Sequence, residues 1–225
     1  MTSIVYKSDD FAIVYKPAGT PSQPDNSKDA DALTECAAAL SVDVRDVYLV
    51  HRLDRVVGGL MVIARNSRCA AEFSAAFSDC GVMKEYLLIT EGAPEHSRGK
   101  FVDYLKKDAV LGRSVVLPKG RDGGKFAELD YEVIDSVNES GRTLTLIRVH
   151  LLTGRFHQIR AQFSSRGLPL VGDGKYGSKF KRVRVPMLFS SGLSFTIGGK
   201  EHTYKLLPNS NEYPWSLFDF SKLDT

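Results

Sequence analysis

The residues best suited to chemistry stand in one short polar island. Residues 48–62 read Tyr48-Leu49-Val50-His51-Arg52-Leu53-Asp54-Arg55-Val56-Val57-Gly58-Gly59-Leu60-Met61-Val62, with a carboxylate between two arginines inside an otherwise apolar stretch. Two readings are open. Asp54 can be one half of a structural salt bridge with Arg52 or Arg55, or a carboxylate kept ionised by nearby cations and available as a nucleophile. The glycines that follow leave room for close approach by a ligand or by backbone. A second group runs Leu151-Leu152-Thr153-Gly154-Arg155-Phe156-His157-Gln158-Ile159-Arg160. Arg155 follows a glycine turn and is expected to begin a helix, which would let its forked guanidinium reach a carboxylate or a phosphate. A third group, residues 167–177, is a glycine-dense loop carrying Asp173 and Lys175. It lacks the G-x-x-x-x-G-K-[ST] order of a nucleotide-cradling loop, and the chain has no G-x-S-x-G element, which argues against nucleoside triphosphate binding and serine hydrolysis.

Nothing points to a metal or an organic cofactor. Cys36, Cys69 and Cys80 form no Cys-x-x-Cys pair, and His51, His96, His150, His157 and His202 form no H-E-x-x-H arrangement. The thiols are expected to be free and buried, as suits a reducing cytoplasm. No signal peptide is seen, and no apolar run approaches the ~20 residues of a membrane span. At 225 residues, 43% hydrophobic and 25% charged, the chain has an ordinary globular composition and can bury a core without staples. Its 30 basic and 27 acidic residues leave a net charge of only +3. That near-neutrality is a cancellation. Between Arg142 and Arg184 there are ten basic residues (Arg142, Arg148, Arg155, Arg160, Arg166, Lys175, Lys179, Lys181, Arg182 and Arg184) against Asp173 alone, a local +9 that leaves −6 elsewhere. A charge run is often just a solvated face. Its interleaving with Gly, Tyr, His and Phe, and the compact cluster at 179–184, favour a polyanionic partner whose phosphates such groups would contact.

Short elements must position these groups. Residues 4–6 and 11–16 are β-branched and aromatic runs around Ser8-Asp9-Asp10, a predicted hairpin. Residues 17–24 form a Pro/Gly-rich loop and 30–40 a short helix. Residues 47–50 and 60–64 read as buried strands flanking the polar island. Ser67 is placed to cap a helix running to Asp79, with Ala70, Phe73, Ala76 and Phe77 at helical spacing and Gly81 as its stop. Residues 86–90 are a strand, and 92–124, rich in Gly, Pro and charge, are expected to form loops and weak strands. Residues 126–137 and 142–150 make a strand pair across 138–141, and 156–166 a short helix ended by Gly167. Gly198-Gly199, between residues 193–197 and 202–206, is a two-residue hairpin signal. Strands outnumber helices, so the fold class is α+β, with a mixed, mainly antiparallel sheet. With no repeat or long linker, residues 1–225 count as one domain, its core at about 4–207 and a C-terminal tail at 208–225.

His51-Arg52-Leu53-Asp54 resembles the H-R-L-D core of the RluA-type RNA pseudouridine synthases. Lys16-Pro17-Ala18-Gly19 is similar to that family's K-P-x-G element, and Lys84-Glu85-Tyr86 to its K-x-Y. Thr153-Gly154-Arg155-Phe156-His157-Gln158-Ile159-Arg160 resembles T-G-R-x-H-Q-I-R. Gly167-x-Pro169 with Gly172-Asp173 and Tyr176-Gly177 is similar to G-x-P-x-x-G-D-x-x-Y-G. Five elements in order, over nearly the whole chain, make the resemblance specific. It implies a sheet with a central cleft, no cofactor, and isomerisation of a uridine in structured RNA, transfer or ribosomal. In that reading Asp54 is the catalytic carboxylate and Arg155 its partner, while Tyr86 stacks on the target uracil, although a half-buried strand tyrosine is otherwise the commoner case. Arg52 fills the gap left by the flipped nucleotide. His51, Arg55, His157, Arg160, Lys175, Lys179, Lys181, Arg182 and Arg184 join Arg52 as RNA-binding candidates, with His51 and His157 either structural or RNA-contacting. Where the family form carries T-S-G, this chain has Val57-Gly58-Gly59, losing two hydroxyls beside the site. No accessory RNA-binding module is expected ahead of Ile4, and the enzyme is expected to be a cytoplasmic monomer. The competing readings are a catalytically idle RNA-binding protein or RNA chaperone on the same fold, and a small-molecule hydrolase using Asp54.

Overall fold

The structure is a computed structural model that describes residues 1–118 and 122–224. Its strands are β1 (Ser3–Lys7), β2 (Phe11–Lys16), β3 (Tyr48–Leu49), β4 (Gly58–Ala64), β5 (Met83–Glu91), β6 (Arg98–Asp108), β7 (Arg113–Leu117), β8 (Lys125–Glu139), β9 (Arg142–Leu151), β10 (Leu188–Ile197) and β11 (Lys200–Lys205). The helices are α1 (Ala32–Leu40), α2 (Ser67–Ser78) and α3 (Gln158–Ser164), joined by short 3-10 turns. The class is α+β with mixed, mainly antiparallel pairing, as the element pattern predicts. Contacts gather the chain into two compact units, Met1–Lys84 with Phe189–Leu207 and Glu85–Leu188 with Pro208–Thr225.

In the first unit β4 is the axis. Its seven residues are all buried, which a continuous apolar run requires of a strand covered on both faces. β2 lies antiparallel on one edge, from Phe11 opposite Ala64 to Lys16 opposite Gly59, and β1 folds back on β2 through the expected hairpin. β3 pairs with the end of β4, and β10 runs parallel to its start, with Phe189 opposite Gly58 and Ser190 opposite Gly59. β11 returns on β10 across Gly198-Gly199, whose φ values of 59° and 73° are those a tight hairpin turn needs. α2 closes the core through Phe73, which meets Phe11 and Phe195 edge-on at 5.8 and 4.9 Å.

The α2 boundaries differ from expectation by one residue. Asn66, not Ser67, is the cap, its side-chain oxygen accepting the Cys69 N–H at 2.8 Å. The left-handed residue past the helix is Cys80, and the Gly81 N–H closes the turn on the Ala76 carbonyl at 2.8 Å. Cys80 is therefore exposed, a correction to the expectation that all three thiols are buried. Burial does hold for Cys36 and Cys69, and it pushes both thiols up to about 11.

The second unit is an antiparallel sheet in the order β5-β9-β8-β6-β7. Here the expectation of loops and weak strands over 92–124 is corrected, because β6 is an eleven-residue strand. Only Phe101 and Leu105 of β6 are fully turned to the core. Backbone pairing with β8 runs along it from Arg98 to Leu105, and two of its exposed cations pair across to β8, Arg98 with Glu132 and Lys100 with Glu128. α3 is shorter than expected. His157 takes a left-handed conformation (φ 51°) at its start, so Arg155 precedes the helix instead of beginning it. From Gln158 to Phe163 every α3 residue is buried.

Gly59 carries the strictest backbone demand in the first unit. Its φ is 121°, and a Cβ there would strike the backbone N and O of Ser190. The close approach anticipated for this glycine is made by the neighbouring strand. Gly59→Ala is expected to destabilise the chain by more than about 2 kcal/mol, read as a lower midpoint in urea unfolding followed by circular dichroism.

Candidate active site

In the first unit the polar island is docked on the loop that follows β2. Lys16 ends β2 with its whole side chain buried, and its ammonium donates to the carbonyls of Thr20 (2.7 Å), Pro17 (3.2 Å) and Arg55 (3.3 Å). The same loop and turn are joined twice more. The Gly19 N–H donates to the Arg55 carbonyl at 2.7 Å, and Arg55 Nε donates to the Gly19 carbonyl at 3.0 Å. Burial pushes the Lys16 ammonium down to about 8, while the Asp54 carboxylate opposes that shift and the Arg55 cation adds to it. Buried Ser22 clamps the other side, its hydroxyl donating to the Leu53 carbonyl (2.8 Å) and accepting the Leu53 N–H (3.1 Å). Asp54 thus has pinned neighbours before and after it, and its own carbonyl accepts the Val57 N–H at 2.9 Å. Its side chain stays half-buried. The salt-bridge alternative with Arg55 is not what forms. The Arg55 guanidinium is engaged by Asp29, with Asp25 at 3.7 Å. Arg52 is exposed.

His51 has a structural task. Its Nε2 accepts the Val62 N–H at 3.0 Å, and its ring stacks on Phe77 at 4.8 Å. Val62 lies on the β4 edge between the stretch paired with β10 and the stretch paired with β3, so an imidazole nitrogen supplies an acceptor where no strand does. Burial pushes the ring down to about 3, helped by the Lys84 charge, which keeps Nε2 free to accept. Of the two roles left open for His51, the structural one is filled.

The second unit holds Tyr86 and Arg155. Tyr86 is a buried residue of β5, opposite Val149 on β9. The turn carrying Arg155 is organised by Gln158, whose side-chain oxygen accepts from the Thr153 hydroxyl (2.8 Å) and the Arg155 N–H (3.0 Å). Its amide NH2 donates to the Glu128 carbonyl at 3.1 Å. Arg155 Nε donates to the Phe126 carbonyl at 2.8 Å, and the guanidinium is exposed. His157 stacks on Phe156 and places Nδ1 3.0 Å from the Tyr176 hydroxyl. That hydroxyl accepts the Ser114 N–H at 2.7 Å. Burial, then the charges of Arg160, Lys175 and Lys107, push His157 down to about 3.

Arg160 is corrected from an RNA contact to a structural cation. It is 4% exposed, and its fork grips Asp173 at 2.6 and 2.8 Å, joining α3 to the glycine-dense loop in the geometry guanidinium and carboxylate favour. The other basic candidates are exposed. Lys175 reaches the Gly112 carbonyl at 3.2 Å, Arg182 pairs with Glu139 at 2.6 Å, and Lys179, Lys181 and Arg184 lie on the surface. Lys16 and Gln158 are the positioning residues that residue-by-residue reasoning passed over. Both stand inside the motifs, but their task depends on carbonyls and turns supplied from elsewhere in the chain. Among the described residues no three His, Cys, Asp or Glu side chains gather to hold a metal ion, and no helix is long and apolar enough to cross a membrane.

A family model described as RNA pseudouridylate synthase matches residues 10–165. An uncharacterized RNA pseudouridine synthase of Haemophilus influenzae is 30% identical over 93% of this chain and 89% of its own length. The ribosomal large subunit pseudouridine synthase C of Rickettsia prowazekii is 32% identical over 88% of this chain, which spans 65% of that relative. Among solved structures, human RNA pseudouridylate synthase domain containing 1 shares the fold with a TM-score of 0.78 and 24% identity, covering 93% of this chain and 84% of that one.

Two outcomes follow from the buried polar groups. An unfolded histidine binds a proton near pH 6.5, one that His51 refuses until about pH 3. Its stabilising contribution is therefore complete above about pH 6.5 and is lost as the pH falls from there towards 3. Urea midpoints should decline over that range, and less steeply in His51→Gln, which keeps an acceptor but no titrating proton. Asp173→Ala, by stranding the buried Arg160 guanidinium, should cost about 3–5 kcal/mol in the same measurement.

Proposed function

The chain belongs to the RNA pseudouridylate synthase family, and from that premise we propose that Asp54, Tyr86 and Arg155 convert one uridine of a structured RNA to pseudouridine. The enzyme is an RNA pseudouridine synthase, an isomerase. In the reaction the bond between N1 of uracil and the anomeric carbon breaks, the base turns, and carbon 5 bonds to the same sugar carbon. Carbon 5 then gives up its proton and N1 acquires one, so no group is gained or lost. Asp54 acts on the sugar, by adding to the anomeric carbon or by supporting a glycal-forming route. Arg155 holds that carboxylate ionised, and Tyr86 stacks on the base and assists loss of the carbon 5 proton. Arg52 occupies the place of the flipped nucleotide, a step that costs a few kcal/mol and least at a loop or bulge.

The observation that carries the reading is the docking of the Arg52–Arg55 segment on buried Lys16. It fixes the backbone on both sides of Asp54 while leaving the carboxylate half-exposed, which is what a carboxylate needs to act on a substrate sugar. The names of the Rickettsia relatives favour large-subunit ribosomal RNA over transfer RNA as the substrate class.

The test is tritium release from RNA labelled at carbon 5 of uridine. The wild type is expected to release tritium, and Asp54→Ala to fall below about one-thousandth of its rate, the scale on which loss of a covalent catalytic group is felt. Release unchanged in Asp54→Ala would refute the assignment. No release from any cellular RNA by the wild type, with RNA affinity retained, would identify the idle RNA-binding protein. Mapping pseudouridines in total RNA with and without the gene product would name the position.

A further inference from the structure

We propose that a basic cavity in the second unit, where the end of β6 meets the Gly154-Arg155-Phe156 turn, binds one backbone phosphate of the RNA substrate. This rests on the pseudouridine synthase reading and adds an anchoring site to it. The cavity has a volume of about 220 Å³, and its wall includes Lys106, Lys107, Lys125 and Arg155 with Ser114 and Phe156. Sites for extended small molecules usually begin near ~300 Å³, so this one suits a small anionic group. β8 pairs with β6 no further than Lys125 opposite Leu105. Past that point β7 alone, among the described strands, pairs with β6, and Lys106 and Lys107 stand on that stretch.

The charge balance of the wall is one-sided. Besides Arg155, whose guanidinium the reaction assigns to Asp54, it carries Lys106, Lys107 and Lys125, and among the described residues no carboxylate lines it. Lys106, Lys107 and Lys125 make no ion pair with any described residue, whereas Arg98, Lys100, Arg142, Arg148, Arg160, Arg166 and Arg182 of this unit do. Like charges gathered without a counter-ion repel one another, and an anion at their centre relieves that repulsion. The wall is also held in place. Lys107 Nζ sits 4.8 Å from the centre of the Phe156 ring, which stacks on His157 at 3.8 Å. The Ser114 hydroxyl donates to the Phe156 carbonyl, and the Arg155 Nε bond to Phe126 sets the guanidinium root. Phe156 is thus already in contact with an imidazole and an ammonium. Hard point charges around a small space select phosphate oxygens. None of the three lysines falls in the basic stretch at 142–184. They reach Arg155 only through the fold.

The test compares the full chain with Lys106→Gln/Lys107→Gln/Lys125→Gln, using a large-subunit ribosomal RNA transcript for binding and carbon-5-tritiated total RNA for turnover. One phosphate lost should lower the slope of log affinity against log salt by roughly 0.7–0.9. KM should rise about tenfold with kcat within about twofold, as expected for a positioning contact uniform in substrate and transition state. Lys106→Gln/Lys125→Gln, which leaves Lys107 on Phe156, should move both quantities in the same direction. Lys200→Gln, in the first unit, should move neither. Normal turnover with KM and salt slope unchanged in the triple variant would overturn the phosphate site and leave the isomerase reading intact. A wild type without turnover whose salt slope still depends on the three lysines would refute the isomerase reading and support the site.

Discussion

A single buried ammonium holds the first unit's polar residues in order. Lys16 leaves the solvent completely and exchanges water for the carbonyls of Pro17, Thr20 and Arg55. A buried charge is tolerated only where such partners surround it, so the loop after β2 and the turn around Asp54 must come together or not fold that way at all. Two stretches that look like independent motifs are thus one structural object. Lys16 of the Lys-Pro-x-Gly stretch donates to the carbonyl of Arg55, the residue that follows His51-Arg52-Leu53-Asp54.

The second unit repeats the principle with different groups. Gln158 bonds the Thr153 hydroxyl and the Arg155 N–H, and Arg160 grips Asp173. His157 and Tyr176 tie the turn to Ser114 on β7. Most polar letters of these motifs hold the backbone for a few exposed ones, chiefly Arg155. Satisfying buried polar atoms is costly to disrupt and geometrically exacting, which makes such groups effective positioners. His51 shows the same economy, standing in for a strand at the β4 edge.

Charge is organised more finely than the composition suggests. The stretch from 142 to 184 does present Lys175, Lys179, Lys181, Arg182 and Arg184 at the surface, but Arg160 within it is buried against Asp173, and Arg182 is paired with Glu139. Meanwhile Lys106 and Lys107, from the stretch 92–124 expected to form loops and weak strands, and Lys125 just past it meet Arg155 around one cavity. A linear window counts charges without knowing which of them oppose an acid across a strand. Pairing decides which cations remain for a polyanion.

Local chemistry determined much of this protein. The β1–β2 and β10–β11 hairpins, the buried β4 run, the α2 face with Phe73, the α+β class and the motif residues are all legible because turn residues and hydrophobic periodicity act between near neighbours. What the chain order could not show depends on partners far along it. β6 is a strand because β8, and then β7, pair with its backbone. Arg155 precedes α3 because His157 turns left-handed toward Tyr176. Gly59 is required because Ser190 backbone lies against it. Lys16 is buried because Arg55, 39 residues away, brings it a carbonyl. Burial and pairing are properties of the folded neighbourhood, so only the tertiary structure could separate the cations that hold the protein together from those left to meet a ligand.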